Sequence, residues 1–429
     1  MQRAIYLDCN ASHPLLPSVR EALSRAILDG ASELGNPSSV HRHGQRAKRI
    51  MAETRRQLGS LLGRADGDEF VFLSGATEAV NLAFRGFAEE RRALGRRIRL
   101  VTTRVEHSSV LDTVRVLDPE VAIVGVDRHG QINESELFAA LEAAAAADFD
   151  ILLGLQATNN ETGVCYDLER ILKEVYFRFG PGASEAAPVR GAKKFSAAPE
   201  QKVWILVDAA QALCKMDDSE VRRILHFADY AALSAHKMGG PTGIGALWAR
   251  PKSPFRAQIS GGTQERRRRA GTPNSLGLYG WLVALQDWTV NGAAYRARMK
   301  RLRDLVFERL GATPGLVVHG ASAQGELPRL PNTLNFHFEG CPEESLLLAL
   351  DLDGFALSSG SACNSGSLRP SHVLVAMGFP VDEALSAVRM CLGVETTEAD
   401  VEAFTRAVNE KVLHIRASRE KARTLLPEV

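Results

Sequence analysis

The sequence predicts an α/β protein with a mostly parallel central sheet in a large domain and a second, smaller α+β domain. Three observations predict it. Short apolar runs alternate with 10–19-residue helical patterns from residue 69 to about 249, the rhythm of βαβ units around a buried sheet. After residue 275 that rhythm gives way to one long helical run followed by short strands and helices. No internal repeat is visible. The expected division is a large domain over 16–270 and a small domain formed by 1–15 with 271–429.

Residues 17 to 63 read as two helices with a break. PSVREALSRAILDG starts at Pro17, a favoured first-turn position, and RAKRIMAETRRQLGSLLG follows the turn-rich ASELGNPSSV. The alternation then begins. EFVFLS is a strand and ATEAVNLAFRGFAEERRAL a helix. RIRLVTT, VAIVGV, ILLGLQAT and VWILVDA are strands, separated by the helices SSVLDTVRVL, ESELFAALEAAAAA and DLERILKEVYF. ADYAALSAH and GIGALWA are two further strands. The segment 180–202, rich in Gly, Pro and Ala, is far longer than the usual ~2–6-residue connection and reads as an exposed insertion. Beyond 275 come a helix to about residue 310, the strands LVVHG, TLNFHFEG and GFALSSG, and helices at 342–351, 370–377 and 398–423.

Composition excludes several classes. The chain has 429 residues, 52 Lys+Arg against 51 Asp+Glu, 45% hydrophobic and 24% charged residues. A net charge of +1 gives no electrostatic case for nucleic acid or an acidic membrane as partner. No run approaches the ~20 apolar residues of a membrane span, and the first residues do not form a secretory leader. The six cysteines are sparse, without C-x-x-C or zinc-ligand spacing, so a reduced, cytoplasmic enzyme without a metal site is expected.

The chemistry begins at SAHKMGGPTGIGALW, where Lys237 follows a strand and precedes a glycine-rich turn. A lysine so placed can form a Schiff base with a carbonyl cofactor such as pyridoxal 5′-phosphate. Upstream, Asp208 ends the strand of WILVDAAQA, where α/β sheets bind ligands. A carboxylate there can keep a pyridine nitrogen protonated; it can equally cap a helix. Gln211 can reach the neighbouring ring oxygen. In FLSGATEAVN, Gly75, Ala76 and Thr77 offer backbone N–H groups and a hydroxyl at a helix N-terminus, an anion site that Ser234 and His236 can complete. His107 in RVEHSSV can stack on a ring and shuttle protons, and Asn160 in NNETG can orient ring or substrate or simply make a turn. Cys363 lies in the Ser/Gly loop LSSGSACNSGSLRPSHVL, whereas Cys214 and Cys391 have apolar neighbours, so Cys363 is the thiol placed to react. Arg389 interrupts an apolar, strand-like run; a buried Arg needs an anion, either a substrate carboxylate or a structural acid. The four arginines of GGTQERRRRAGTPNS read as a solvated face.

Together, YLDCNASHP, GNPSSVHRHG, SGATEAVNLA, EHSSV, NNETG, VDAAQA, SAHKMGGPTGIGAL, GGTQERRRRAGTPN, LPNTLNF, SSGSACNSGSLRPSHVL and VRMCLG…TTEADV resemble, in order, the motifs of the cysteine desulfurases of the class V, PLP-dependent aminotransferase-like superfamily. The resemblance implies a fold type I homodimer with PLP sites at the dimer interface. Lys237 would hold PLP covalently, Asp208 would pair with the pyridine nitrogen, Gln211 with the ring hydroxyl, and His107 would stack. Thr77, Ser234, His236 and the other subunit's Thr272 would hold the phosphate. Asn160 and Arg389 would bind L-cysteine, and Cys363 would take its sulfur as a persulfide for a sulfur-acceptor protein, such as an iron–sulfur scaffold or a sulfur carrier, with alanine leaving. The Cys363 segment looks like the longer loop of the iron–sulfur type. Selenocysteine lyases share nearly all these residues, and a class V aminotransferase or lyase would need all but Cys363. The chain departs from the family's pattern at Cys9 and Ala11-Ser12-His13, at GGTQERRRR, and in the 180–202 insertion.

Overall fold

The computed structural model describes residues 4–28, 34–64, 69–180, 201–320, 329–341, 345–359 and 369–425. In chain order the elements are β1 Ile5–Tyr6, α1 Pro17–Leu28, α2 Arg42–Leu62, β2 Glu69–Leu73, α3 Ala76–Ala93, β3 Ile98–Thr103, α4 Ser108–Leu117, β4 Ala122–Val124, α5 Glu134–Ala146 and β5 Asp150–Gln156. There follow α6 Leu168–Phe179, β6 Val203–Asp208, α7 Asp218–His226, β7 Tyr230–Ser234, β8 Gly245–Ala249, α8 Ser275–Gly311, β9 Leu316–Val318, β10 Thr333–Phe338, α9 Ser345–Leu352, β11 Phe355–Ala356, β12 Ser358–Ser359, α10 His372–Ala376, α11 Val381–Leu385, β13 Val388–Cys391 and α12 Glu398–Leu425.

Seven strands form the main sheet in the order β2-β8-β7-β6-β5-β3-β4. All pairings among β3–β7 are parallel, and only β8 runs against its two neighbours. The continuous apolar character of the central strands follows from cover on both faces: every residue of β5 is buried. Along β5, Leu152 joins Phe84 and Trp204 on one face, while Ile151, Leu153 and Leu155 join the larger core on the other. Helix α3 fills the first face. Helices α1 and α2 each pack against α8 in the larger cluster.

The later part of the chain builds an antiparallel sheet of order β12-β13-β10-β9 and a parallel pair β1-β11, with α8 and α12 packed together. The expected strand GFALSSG is in fact two strands in different sheets: Phe355–Ala356 pairs with β1, and Ser358–Ser359 pairs with β13. The expected strand ADYAALSAH stops at Ser234, because Ala235–Met238 form a single 3₁₀ turn ended by Gly239 at φ 82°. That turn is what lifts Lys237 off the sheet edge. The expected helix at 370–377 is the shorter α10, and α11 follows it unforeseen. The expected insertion lies outside the described residues except at its ends, where the Lys202 N–H reaches the Phe179 carbonyl at 3.4 Å. No helix among the described residues is long and apolar enough to cross a membrane.

Candidate active site

The ends of β2, β3, β5, β6 and β7 bring the candidate residues to one edge of the sheet. At the end of β2, Gly75 caps α3 without a side-chain hydrogen bond, so the helix's first N–H groups are not capped from within. Gly75 lies close against β8: a Cβ on Gly245 would stand 2.6 Å from the Gly75 Cα and 2.5 Å from the Leu233 carbonyl oxygen. Thr77 is exposed, and with His107 it lines a cavity of about 500 Å³. Across from Gly75, the buried Ser234 hydroxyl is 2.8 Å from His236 Nδ1. Burial, with Lys237 and Lys215 adding to it, pushes His236 down to about 4, so its ring is neutral near pH 7.

Lys237 reaches back along the site, where its Nζ donates to the Asn10 carbonyl at 2.8 Å and the Ala11 carbonyl at 2.9 Å. Asp208 ends β6 and accepts the Ala210 N–H at 3.0 Å, so it does serve as a local cap. It also feels both His107 and Lys237. Burial raises its carboxyl pKa, and the Ala210 N–H, His107 and Lys237 oppose that rise. His107 caps α4, its Nδ1 accepting the Ser109 N–H at 3.1 Å. The neutral ring therefore carries its proton on Nε2. Burial lowers its pKa, with Lys237 and His372 reinforcing and Asp208 opposing. Below His107, the fully buried Glu106 accepts from Thr103 and leaves its second oxygen without a partner among the described residues.

Arg389, 2% exposed in β13, faces the same region. Its Nη2 pairs with Asp8 at 2.7 Å and its Nη1 donates to the Asn160 carbonyl at 3.4 Å, while its buried Nε has no partner among the described residues. Both sequence readings of Arg389 thus have a basis: an acid is present, and the guanidinium is not filled. The Asn160 amide makes no hydrogen bond of its own among the described residues, whereas its carbonyl also receives Asn10 Nδ2 at 3.1 Å. Gln211 donates to the Asn10 carbonyl at 2.9 Å.

Cys363 lies outside the described residues. The residues flanking that segment are anchored at the site. Ser358 pairs in register with Arg389 and donates to Asp8 at 2.9 Å. Ser371 donates to the buried Glu161 at 2.5 Å, and His372 Nε2 is 2.9 Å from the Glu106 carbonyl. Thr272 is exposed on the loop into α8 and makes no side-chain hydrogen bond to the other candidates.

Sequence reasoning passed over Asp8, Asn10, Glu106, Glu161 and Lys215. Asp8 and Asn10 stood in YLDCNASHP, and Lys215 was a lone cation in an apolar stretch. The arginine run also differs from its reading as a solvated face. Arg268 and Arg269 pair with Glu69 and Glu78 at 3.2 and 3.0 Å. Glu265, Arg266 and Arg267 all take positive φ, of 46°, 54° and 65°. Such residues cost about 1–2 kcal/mol each. The Glu265 carboxylate offsets this by accepting from Arg55 and the Phe72 N–H, each at 2.8 Å.

These residues fit pyridoxal phosphate: an amine, a buried carboxylate, an amide donor, an imidazole and an uncapped helix start converge. The aminotransferase class-V family model matches residues 5–176 and 188–404. The chain belongs to that family. It is 32% identical to the cysteine desulfurase IscS of Dictyoglomus turgidum over 435 aligned positions, covering 100% of this chain and 97% of that one. It is 36% identical to a cysteine desulfurase of Nostoc sp. over 417, covering 96% and 94%. Among solved structures, a NifS-like protein from Rickettsia africae superposes with a TM-score of 0.77 at 25% identity, covering 96% of this chain and 99% of that one. The break in the family match, 177–187, overlaps the start of the expected insertion.

Proposed function

We propose that this chain is a PLP-dependent cysteine desulfurase that converts L-cysteine to L-alanine and leaves a persulfide on Cys363 for a sulfur-acceptor protein. The observation that carries this reading is the convergence of Lys237, Asp208 and His107 with the partly filled guanidinium of Arg389, between the two anchored flanks of the Cys363 segment.

Lys237 holds the cofactor, Asp208 keeps a proton on its pyridine nitrogen, Gln211 meets its ring oxygen, and Gly75, Ala76, Thr77, Ser234 and His236 take its phosphate. When bound, PLP supplies an electron sink for the substrate's Cα and Cβ. Arg389 binds the substrate carboxylate through its open edge, and the Asn160 amide, which makes no hydrogen bond among the described residues, orients the bound molecules. The substrate's C–S bond breaks and an S–S bond forms on Cys363. The substrate carbon is reduced by two electrons, one from its own departing sulfur and one from the Cys363 sulfur as these two join, and the Cys363 thiol proton passes to the product, so no outside oxidant is needed. His107 holds a proton at Nε2 in its resting form. It therefore serves first as a donor toward the product carbon; accepting the Cys363 proton requires that Nε2 proton to have left.

Thr272, exposed and without a partner in its own chain's site, suits a phosphate site completed across a homodimer. The family resemblance favours delivery toward iron–sulfur cluster assembly. Among the described residues, five cysteines are free and buried, which fits a reducing cytoplasm.

The test uses two variants. Lys237→Ala should fold yet give no borohydride-trapped PLP adduct. Cys363→Ser should keep the yellow, PLP-loaded form while alanine release from cysteine falls by about two orders of magnitude or more. Wild-type alanine release by Cys363→Ser would overturn the persulfide step. Survival of selenocysteine turnover alone in that variant would favour a selenocysteine lyase.

A further inference from the structure

We infer that Lys215 is a positioning residue that fixes the Gln211 side chain with its nitrogen toward the cofactor, making Gln211 a hydrogen-bond donor to the PLP ring oxygen. This rests on the PLP reading above and extends it to a residue outside the expected set.

The geometry is a closed chain of hydrogen bonds with one possible sense. Lys215 is 2% exposed, and its nearest polar neighbours are amides, not a carboxylate. Backbone bonds from Leu213 to Ala209 and from Met216 to Ala212 fold residues 209–216 into successive turns, with Cys214 at φ 70°. This turn brings Lys215 onto the Gln211 side chain. Its Nζ donates to Gln211 Oε1 and, at 2.9 Å, to Asn10 Oδ1. As an ammonium, Lys215 has only donors, and the acceptor-only Asn10 carbonyl takes the Gln211 nitrogen on the other side. The two amides must therefore both turn their oxygens to Lys215.

That settles an orientation the amide group alone leaves open, because the oxygen and nitrogen of a glutamine are nearly equivalent in shape. With Oε1 committed to Lys215, Nε2 faces the site. One of its hydrogens goes to the Asn10 carbonyl at 2.9 Å, and the other has no acceptor among the described residues. The same Asn10 carbonyl receives Lys237 Nζ at 2.8 Å. Gln211 and the cofactor-holding lysine are thus docked on one oxygen.

Asn10 is held just as fully. Its Oδ1 also accepts Asn332 Nδ2 at 3.1 Å, and its Nδ2 donates to Thr333 Oγ1 at 2.9 Å and to the Asn160 carbonyl. If Lys215 were lost, Gln211 Oε1 would have no donor among the described residues, and only the Asn10 carbonyl would hold its nitrogen. A flipped Gln211 would present its oxygen to the ring oxygen, and a stabilising contact would become a repulsive one.

The readout is the visible band of bound PLP, whose titration midpoint depends on how well the ring oxygen's negative charge is stabilised. Lys215→Met removes the donor and keeps the length. The midpoint should rise by about one unit, a tenfold change in the protonation constant, as expected for loss of one hydrogen bond to a charged oxygen. Loss of the lysine charge alone would also raise it, so the pair is tested as a cycle. In a Gln211→Leu background, Lys215→Met should add less than about a twofold further change. Full additivity would mean that Lys215 acts by charge and would overturn the proposal, as would an unmoved midpoint in the single variant. Gln211→Glu, which keeps a partner for Lys215, carries the same test should Lys215→Met not fold. It should raise the midpoint at least as far, and an unmoved midpoint there overturns the donor assignment. A wild-type protein with no visible band on PLP addition would instead refute the cofactor reading itself.

Discussion

Replacing Asp8 by asparagine separates what Arg389 does for the fold from what it does for a ligand. The two charges are 2.7 Å apart, with side chains only 3% and 16% exposed for Arg389 and Asp8. Asparagine keeps an acceptor oxygen for Nη2 and for the Ser358 hydroxyl but removes the negative charge. Breaking a buried pair costs about 3–5 kcal/mol when one partner is lost outright. A neutral acceptor retains about a third of a charge-assisted bond, so the expected loss is about 2–3 kcal/mol. Ligand affinity should move the other way. With Asp8 neutral, the substrate carboxylate becomes the principal counterion of a guanidinium whose Nε is already open, and KM for cysteine should fall about three- to tenfold. The assay is urea or thermal unfolding of the PLP-loaded protein beside alanine release at varied cysteine. A stable Asp8→Asn variant with a raised KM would refute the reasoning, because it would make Asp8 a partner of the substrate and not its competitor at Arg389.

Three further outcomes follow from other parts of the molecule. Gly245→Ala places a Cβ against the backbone of Leu233 and Gly75, so it should cost about 1–3 kcal/mol and weaken PLP binding roughly tenfold, read by titrating the cofactor-free protein; unchanged affinity would exclude Gly75 from the phosphate site. Burial pushes Asp229 up from 3.8 to about 6. A carboxyl raised on folding stabilises most below its unfolded pKa, and that contribution fades as pH rises through the folded value. At about 1.4 kcal/mol per unit, roughly 3 kcal/mol should be lost between pH 4 and 6. Asp229→Asn should flatten that decline in unfolding free energy, and an unaltered slope would count against it. Because the Lys202 N–H meets the Phe179 carbonyl, the ends of 181–200 are adjacent, and a short Gly/Ser linker in its place should leave PLP binding intact. Loss of cofactor would show that the segment serves the site.

The main sheet was legible because each strand is a short apolar run bounded by a helix of clear period, and buried parallel strands leave no ambiguity of face. The position of β8 was not legible. An antiparallel strand between β2 and β7 reads like any other apolar run, and its direction is set by pairing across the sheet. Lys237, Asp208, His107 and the Gly75–Thr77 turn could be singled out because each follows a strand end, a local signal. Asn10 and Lys215 could not. Their roles come from partners up to 323 positions away, and no window along the chain contains both Asn10 and Thr333. Arg389 fell between: its burial was apparent from its apolar neighbours, but the identity of its acid was not.

The pairing of Asp8 with Arg389 joins positions 381 apart. At about 5–20 residues per second of synthesis, the ribosome needs roughly 20–80 s to make the second partner after the first. All seven strands of the main sheet, ending at Ala249, are made well before Arg389. The segment from β1 to Ala11, which supplies the carbonyls under Lys237, must meanwhile wait for β11 and β13 to give it an edge to pair with. High contact order is thus concentrated in the site and not in the sheet. A nascent chain arrested before residue 388 should carry a folded sheet without a finished cofactor site. Capture of PLP then marks the end of translation, a built-in delay before the reactive chemistry of this protein can begin.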